Sequence, residues 1–326
     1  MSHLFAQADS ARLPLADASV DLVVGSPPYA DARLYLEDGR DLGIARDQFE
    51  WVEWMLAVTE EALRVTRGAV IWVCAGVTRA RNYWPCCEGL SWEAHKRGWL
   101  SESPCFWHRY GIPGSGGDQW FRKDVEFCLA FKRTAVLPWS DNTACGEPPK
   151  FGPGGAMSHR LSDGARVNQW GARPTSGRTR RADGSKQAAG RPSHVVVAKH
   201  MMQPDGSRET QGYVPPVVAN PGTLIQTGAT GGNCLGHALA HENEAPYPED
   251  VPERFIKSLC PTGGRVLDPF SGSGTTVSVA ARLGRVGIGF DLRRSQCELG
   301  RRRLERPHAP VVKKSAATTP MPLFGD

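Results

Sequence analysis

The pattern of apolar and polar positions changes period several times along the chain. Residues 21–25, Asp-Leu-Val-Val-Gly, form a short apolar run that ends in Gly-Ser-Pro-Pro. Such a run predicts a buried strand entering a tight, proline-stiffened loop. Over 47–65 the period lengthens, with Phe49, Val52, Leu56 and Leu63 on one face of a helix, and Asp47 with Glu50 supplies a capping-box-like start. The runs at 68–74 and 125–131 predict two further strands, the second flanked by Asp124 and Lys132. From 134 to 219 periodicity gives way to Gly, Pro, Ser and Arg, punctuated by Trp139, Trp170 and Tyr213. Regularity returns near 220, with strands at 222–226, 265–268 and 286–290 and helices at 249–259 and 274–283. Strand and helix alternate there, which predicts an α/β fold with a doubly wound, mostly parallel sheet. Beyond Pro307 the tail reads as disordered.

Composition narrows the class. With 40% hydrophobic and 22% charged residues and no apolar stretch near the roughly 18 residues a membrane span needs, the chain reads as a globular protein. Its first residues lack a basic segment followed by an apolar one, so no secretory signal is read and a cytoplasmic location is expected. The nine cysteines contain no Cys-x-x-Cys pair, so reduced, mostly buried thiols are expected and no metal site. The net charge of +5 is unevenly spread: eleven basic residues face three acidic ones between Lys150 and Arg208. An insert of that kind suits nucleic acid, since cations neutralise phosphates and Arg, Asn and Gln read base edges. Arg160, Arg166, Arg173 and Arg178 are the first candidate contacts, followed by Arg180, Arg181, Lys186 and Arg191. A solvated loop or linker with scattered charge is the other reading. Arg301, Arg302 and Arg303 read as a charged face of the last helix, with phosphate contact the less favoured alternative.

Two motifs bear chemistry. In 266–276, Val-Leu-Asp-Pro-Phe-Ser-Gly-Ser-Gly-Thr-Thr, an apolar strand ends in Asp268 and a Gly-x-Gly turn opens a helix. Glycines in such a turn let the backbone approach a ligand. Asp291 closes the next strand, where a carboxylate accepts hydrogen bonds from ribose hydroxyls. The third glycine of a dinucleotide fingerprint and the Gly-Lys-Thr of a phosphate loop are both missing, so a nucleoside cofactor without phosphates fits better. The second motif is Ser26-Pro27-Pro28-Tyr29, at the end of the first apolar run. Ser26 and the carbonyl of Pro27 are placed to accept hydrogen bonds from an amino group, which stabilises charge developing on its nitrogen. Tyr29 offers a ring on which an extruded base stacks. Taken alone, the Gly-x-Gly motif also reads as a structural strand-to-helix turn, and Ser-Pro-Pro in isolation is more often just a turn.

Together, Ser-Pro-Pro-Tyr followed by Asp-Pro-Phe-x-Gly-x-Gly-Thr-Thr resembles the β-class site-specific DNA amino-methyltransferases, in which the catalytic tetrad precedes the cofactor motif. The segment Gly236 to Pro248 resembles the family's approach to the cofactor strand, and Asp9-Ser10 its acidic position near the cofactor adenine. The resemblance implies S-adenosyl-L-methionine as cofactor and duplex DNA as substrate. It implies that Ser26, Pro27, Pro28 and Tyr29 serve the flipped base. Asp268, Pro269, Phe270, Gly272, Ser273, Gly274 and Thr275 would hold the cofactor, with Asp291 on its ribose. Asp9, Ser10, His241, Ala245 and Tyr247 complete the expected cofactor site. The implied organisation is a catalytic half at 1–133, a target-recognition insert at 134–219, a cofactor half at 220–306 and a tail at 307–326. A homodimer and a cognate restriction enzyme are compatible with the family. Two rivals are an RNA or protein-glutamine methyltransferase, which carries related tetrads, and a non-catalytic DNA-binding relative. Hydrogen-bond accounting leaves adenine N6 and cytosine N4 both open as the acceptor.

Overall fold

A computed structural model of the chain describes residues 3–30, 47–110, 119–148, 220–228, 237–243 and 245–306, with a few short backbone segments between them. Its main sheet is built from β1 (Leu4–Gln7), β2 (Val20–Gly25), β3 (Thr66–Cys74), β4 (Leu100–Tyr110), β5 (Val125–Lys132), β6 (Leu224–Gly228), β7 (Arg265–Asp268) and β8 (Val286–Asp291). The spatial order is β1-β8-β7-β2-β3-β5-β4-β6. Neighbours run parallel except where β5 pairs with β3 and β4. Five helices flank it among the described residues: α1 (Gln48–Val65), α2 (Cys86–Lys96), α3 (Asp250–Leu259), α4 (Thr275–Arg282) and α5 (Arg294–Glu305). The sheet is doubly wound, as the alternation of strand and helix predicts.

All six residues of β2 are buried, which explains why it reads as a continuous apolar run rather than an alternating one. Leu22 and Val24 pack with Ile71 and Val266 against Val251, Phe255 and Ile256 of α3. Val20 and Val23 face the other layer, where Trp51, Met55 and Leu56 of α1 and Leu90 of α2 cover Val70, Trp72 and Leu267. Asp47 caps α1 by accepting from the backbone N–H of Phe49 (2.7 Å) and of Glu50 (2.9 Å). Of the expected α1 face, Leu56 is buried and Val52 and Leu63 pack against the core, while Phe49 does not. The buried residues are Trp51, Met55, Leu56, Val58, Thr59, Ala62 and Val65, whereas Phe49, two residues and so about half a turn from Trp51, is 74% exposed.

Residues 134–144 belong with the sheet. Leu137 packs on the α3 layer, and the Asp141 N–H donates to the Ser258 carbonyl at 2.8 Å. Two compact units result, one of Met1–Ala144 with Gly222–Asp326 and one of Cys145–Pro221. Within the second, an antiparallel ribbon pairs Met201–Met202 with Arg208–Glu209. Cys74, Cys86, Cys87, Cys128, Cys260 and Cys297 are buried free thiols, and Cys105 and Cys145 are half-buried. Among the described residues no helix is long and apolar enough to cross a membrane.

Candidate active site at the β2 and β7 strand ends

The parallel pairing of β2 with β7 sets Leu22 opposite Val266 and Val23 opposite Leu267. The loops leaving their carboxyl ends therefore lie side by side, at the kind of strand-order reversal where open α/β sheets bind ligands. Gly25 closes β2 because a Cβ there would stand 2.8 Å from Asp268 Oδ1. Both loops wall one cavity of about 490 Å³.

On the β2 side, Ser26, Pro27, Pro28 and Tyr29 all line the cavity. The Pro28 carbonyl accepts from Trp51 Nε1–H at 2.7 Å, which fixes the loop on α1. The Tyr29 hydroxyl donates to Glu126 Oε2, and Glu126, only 4% exposed, also stands 3.1 Å from Arg109 Nη1. Burial first, and the Glu126 carboxylate second, hold the Tyr29 phenol well above its ordinary range; the neighbouring Ser26 hydroxyl pulls the other way. Arg109 lies over the Trp107 ring with its guanidinium carbon 5.5 Å from the centroid, and Trp107 Nε1–H is spent on Thr227 Oγ1 at 2.7 Å.

On the β7 side, Asp268 Oδ1 accepts the Phe270 N–H at 3.0 Å and Oδ2 accepts the Thr276 hydroxyl at 2.7 Å. Thr276 in turn shares a hydrogen bond with the Tyr247 hydroxyl. Burial with only neutral donors in contact pushes the Asp268 carboxyl up to about 7, against the pull of those hydrogen bonds. Gly274 starts α4 at a φ of 78°, with the Phe5 ring 2.6 Å from where a Cβ would be, so both its backbone and its surroundings require glycine. Asp291 ends β8, its Oδ2 accepting the Gly272 N–H at 3.0 Å and its Oδ1 the Arg293 N–H at 2.9 Å. Burial raises its pKa, and the Arg293 contacts oppose the rise. The Phe270 ring is held edge-on between Trp54 and Trp72, with centroids 5.7 and 5.8 Å away.

The cavity also gathers Ser10, Ala245, Tyr247, Pro269, Phe270, Gly272, Ser273, Thr275 and Asp291. Four expected site residues stand outside its wall. Asp9 is exposed, and its Oδ1 is engaged by the Ala11 N–H at 2.9 Å. His241 points outward from the 3-10 turn Ala238–Glu242. Asp268 lies beneath the loop it braces, and Gly274 packs on Phe5. Conversely, Trp54, Trp107, Arg109, Glu126, Asn243, Leu292 and Arg293 line the cavity without having been singled out from the sequence. Glu126 had a visible signal, a lone charge inside the apolar run Val-Glu-Phe-Cys-Leu-Ala-Phe. The basic residues proposed to meet DNA, Arg160 to Arg191, lie outside the described residues.

Arg303 corrects the expectation of a charged outer face on the last helix. It is 1% exposed, and its guanidinium bonds Glu249 Oε1 (2.7 Å) and Thr275 Oγ1 (2.9 Å). A buried cation becomes tolerable there because Glu249 matches its charge. Arg302 does reach outward, to Glu242 at 2.7 Å, while Arg301 donates to the Phe5 carbonyl at 2.6 Å.

A doubly wound sheet whose Ser26–Tyr29 and Pro269–Thr275 loops wall one cavity at a strand-order reversal has the architecture in which open α/β sheets bind ligands. The DNA methylase family model, of the N6/N4 type, matches residues 20–302, and the chain belongs to that family. Among curated relatives, the type II methyltransferase M2.DpnII of Streptococcus pneumoniae is 48% identical over 66 residues, 20% of this chain and 25% of the relative. M.ScaI of Streptomyces caespitosus is 43% identical over 61 residues, 19% of this chain and 20% of the relative. The chain thus matches only about a fifth to a quarter of the length of these relatives. Solved structures extend the likeness of fold further. The cytosine-N4-specific PvuII DNA methyltransferase aligns at a TM-score of 0.58 and 18% identity, over 92% of this chain and 85% of that one. TTHA0409 of Thermus thermophilus, solved with S-adenosyl-L-methionine, aligns at 0.53 and 18% identity, over 94% of each.

Proposed function

We propose that the protein transfers the methyl group of S-adenosyl-L-methionine to the exocyclic amino group of an adenine or cytosine turned out of duplex DNA. The observation that supports this reading is the single cavity in which the Ser26-Pro-Pro-Tyr29 loop faces the Phe270–Thr275 loop and Asp291. Family membership and the cofactor named for TTHA0409 point the same way.

The residues present fit the cofactor. Asp291 stands at a strand end facing the glycine turn, with oxygen lone pairs left beside the two backbone bonds it accepts. The Ser271 hydroxyl is buried in the cavity wall and has no partner among the described residues, so it is available to a ligand. Gly272 keeps the turn low: a Cβ there would lie 2.7 Å from Asn243 Nδ2. In this arrangement Asp291 holds the ribose, Phe270 and Tyr247 wall the ligand, and Ser271 and Asn243 offer polar contacts. When bound, the cofactor supplies an electrophilic methyl group on a positively charged sulfur.

The β2 loop prepares the acceptor. An exocyclic amine delocalises its lone pair into the ring and is a weak nucleophile. Hydrogen bonds accepted from its N–H groups by Ser26 Oγ and the Pro27 carbonyl favour a pyramidal nitrogen and stabilise its growing positive charge. Pro27 and Pro28 have no N–H of their own, so the loop presents acceptors to the amine rather than competing donors. Tyr29, tied to Glu126, offers its ring as a fixed stacking face.

Incubation with duplex DNA and methyl-labelled cofactor, followed by digestion to nucleosides and mass spectrometry, tests the reading. Label on N6-methyladenine or N4-methylcytosine is the expected result and identifies the base. Cofactor binding without label on any DNA would sink it and direct attention to RNA or protein acceptors.

A further inference from the structure

We infer that Arg109 is the group that recognises the ring of the target base, donating hydrogen bonds from its guanidinium to a ring acceptor beside the amino group; this rests on the proposed methyl transfer to a base. Donors are scarce on that side of the cavity. Its wall consists of Ser26, Pro27, Pro28, Tyr29, Trp107, Arg109 and Glu126. The two prolines have no N–H. The Tyr29 hydroxyl is given to Glu126 and the Trp107 indole N–H to Thr227. Glu126 is an acceptor only and is bound by Tyr29 and Arg109.

Arg109 is different. One nitrogen, Nη1, meets Glu126, and its side chain remains 28% exposed in a wall where the Tyr29 and Trp107 donors are already committed. A guanidinium carries five N–H groups, so several remain for a ligand. It is also held in place before any base arrives. Glu126 matches its charge, the Trp107 ring supports it from one face, and its own backbone N–H donates to the Asp124 carbonyl at 2.8 Å. Such preorganisation limits the entropy lost when a base docks.

The chemistry of the target calls for a donor at this place. On the Watson–Crick edge of either base the amino group sits next to an unprotonated ring nitrogen, N1 in adenine and N3 in cytosine, and cytosine adds a carbonyl oxygen beyond it. Guanine and thymine carry an N–H at the corresponding ring position and would meet the guanidinium donor to donor. A site with acceptors at Ser26 and Pro27 and a cationic donor at Arg109 therefore selects an amino group adjacent to a bare ring nitrogen. It rejects guanine and thymine presented by their Watson–Crick edges, where each carries an N–H at the facing ring position.

The test pairs a side-chain change with an atomic change in the DNA. Wild-type enzyme and Arg109→Gln are each given oligonucleotides carrying the normal target base or its analogue with that ring nitrogen replaced by carbon, 1-deazaadenine or 3-deazacytosine. Transfer to normal DNA by the wild type is the control for the proposed function itself; its absence removes that reading, and this one with it. With the control positive, the wild type should lose about 10- to 150-fold in kcat/KM on the analogue, as expected for a lost hydrogen bond to a charged group. Arg109→Gln should lose a similar factor on normal DNA, little more on the analogue, and bind cofactor as tightly as the wild type. Independent, multiplying losses would overturn the inference, and so would a wild type indifferent to the analogue. Should Arg109→Gln fail to fold, Arg109→Lys enters the same comparison, and the wild-type comparison of the two DNAs still decides.

Discussion

The two loops that meet in the cavity bury acids in opposite ways. On the β2 side, Glu126 is matched by a cation, Arg109, and by the Tyr29 hydroxyl. On the β7 side, Asp268 is met by neutral donors, a hydroxyl and a backbone N–H among them, and its carboxyl is pushed up to about 7. One arrangement fixes a charge in place, while the other holds a proton that the unfolded chain would release. The first suits recognition of a polar ligand edge. The second keeps a glycine turn braced without placing a full negative charge beneath it. Asp291 lies between these extremes, buried like Asp268 but with Arg293 beside it.

The largest effect expected from disturbing this contrast lies at Arg303, the buried cation that ties α5 to the cofactor loop through Thr275 and to Glu249. Arg303→Met should lower stability by about 4 kcal/mol, because Glu249 loses its close, buried charge partner and keeps the longer contact to Arg282 (3.3 Å). Urea unfolding measures it, and a loss below about 1 kcal/mol would mean that Glu249 does not depend on its partner. Next comes the pH dependence set by Asp268. Its folded pKa is raised from 3.8 to about 7, so the folded state binds more protons than the unfolded one across that window and stability falls as pH rises through it. Thermal unfolding of Asp268→Asn should lose about 3 kcal/mol of that decline between about pH 4 and pH 7. An identical slope in both proteins would show that another group sets it.

Smaller effects separate the loops by function. Ser26→Ala should slow turnover roughly 100-fold, the size of effect seen when one preorganised hydrogen-bonding group is removed from an active site, with cofactor affinity intact. A matching loss of cofactor affinity would assign Ser26 to the other half of the cavity. Asp291→Ala should do the reverse, weakening cofactor binding by about 1 to 3 kcal/mol in calorimetry. Unchanged affinity would leave the ribose without its expected acceptor.

How far the sequence exposed this arrangement depended on local signals. β2, β3, β5, β7 and β8 were legible as apolar runs bounded by Gly, Pro or charge, and both loops were legible because proline and glycine punctuate them. β4 was not, since it begins Leu-Ser-Glu-Ser-Pro and mixes polar with aromatic residues along an irregular pairing with β5. Trp107 and Arg109 stand on that strand, so these two cavity residues stayed hidden from pattern reading. α2 escaped because its buried face is built from Cys86, Cys87, Leu90 and Ala94, small or sulfur-bearing residues that make a weak stripe. On α1 the one misplaced residue is Phe49, a large apolar side chain that packing leaves in solvent. Asp9 and His241 followed from resemblance alone, with no packing signal to place them, and both turn outward.

The pairing of β2 with β7 bears on how the protein is made. β2 is buried on both faces and lies between β3 and β7, but Val266 leaves the ribosome 244 residues after its partner Leu22. At about 5 to 20 residues per second, the apolar β2 waits roughly 10 to 50 seconds with one edge open. A partner strand from another nascent chain fits that edge as readily as β7 does. Expression yield should therefore respond to translation speed and holdase chaperones more than the stability of the finished fold would suggest.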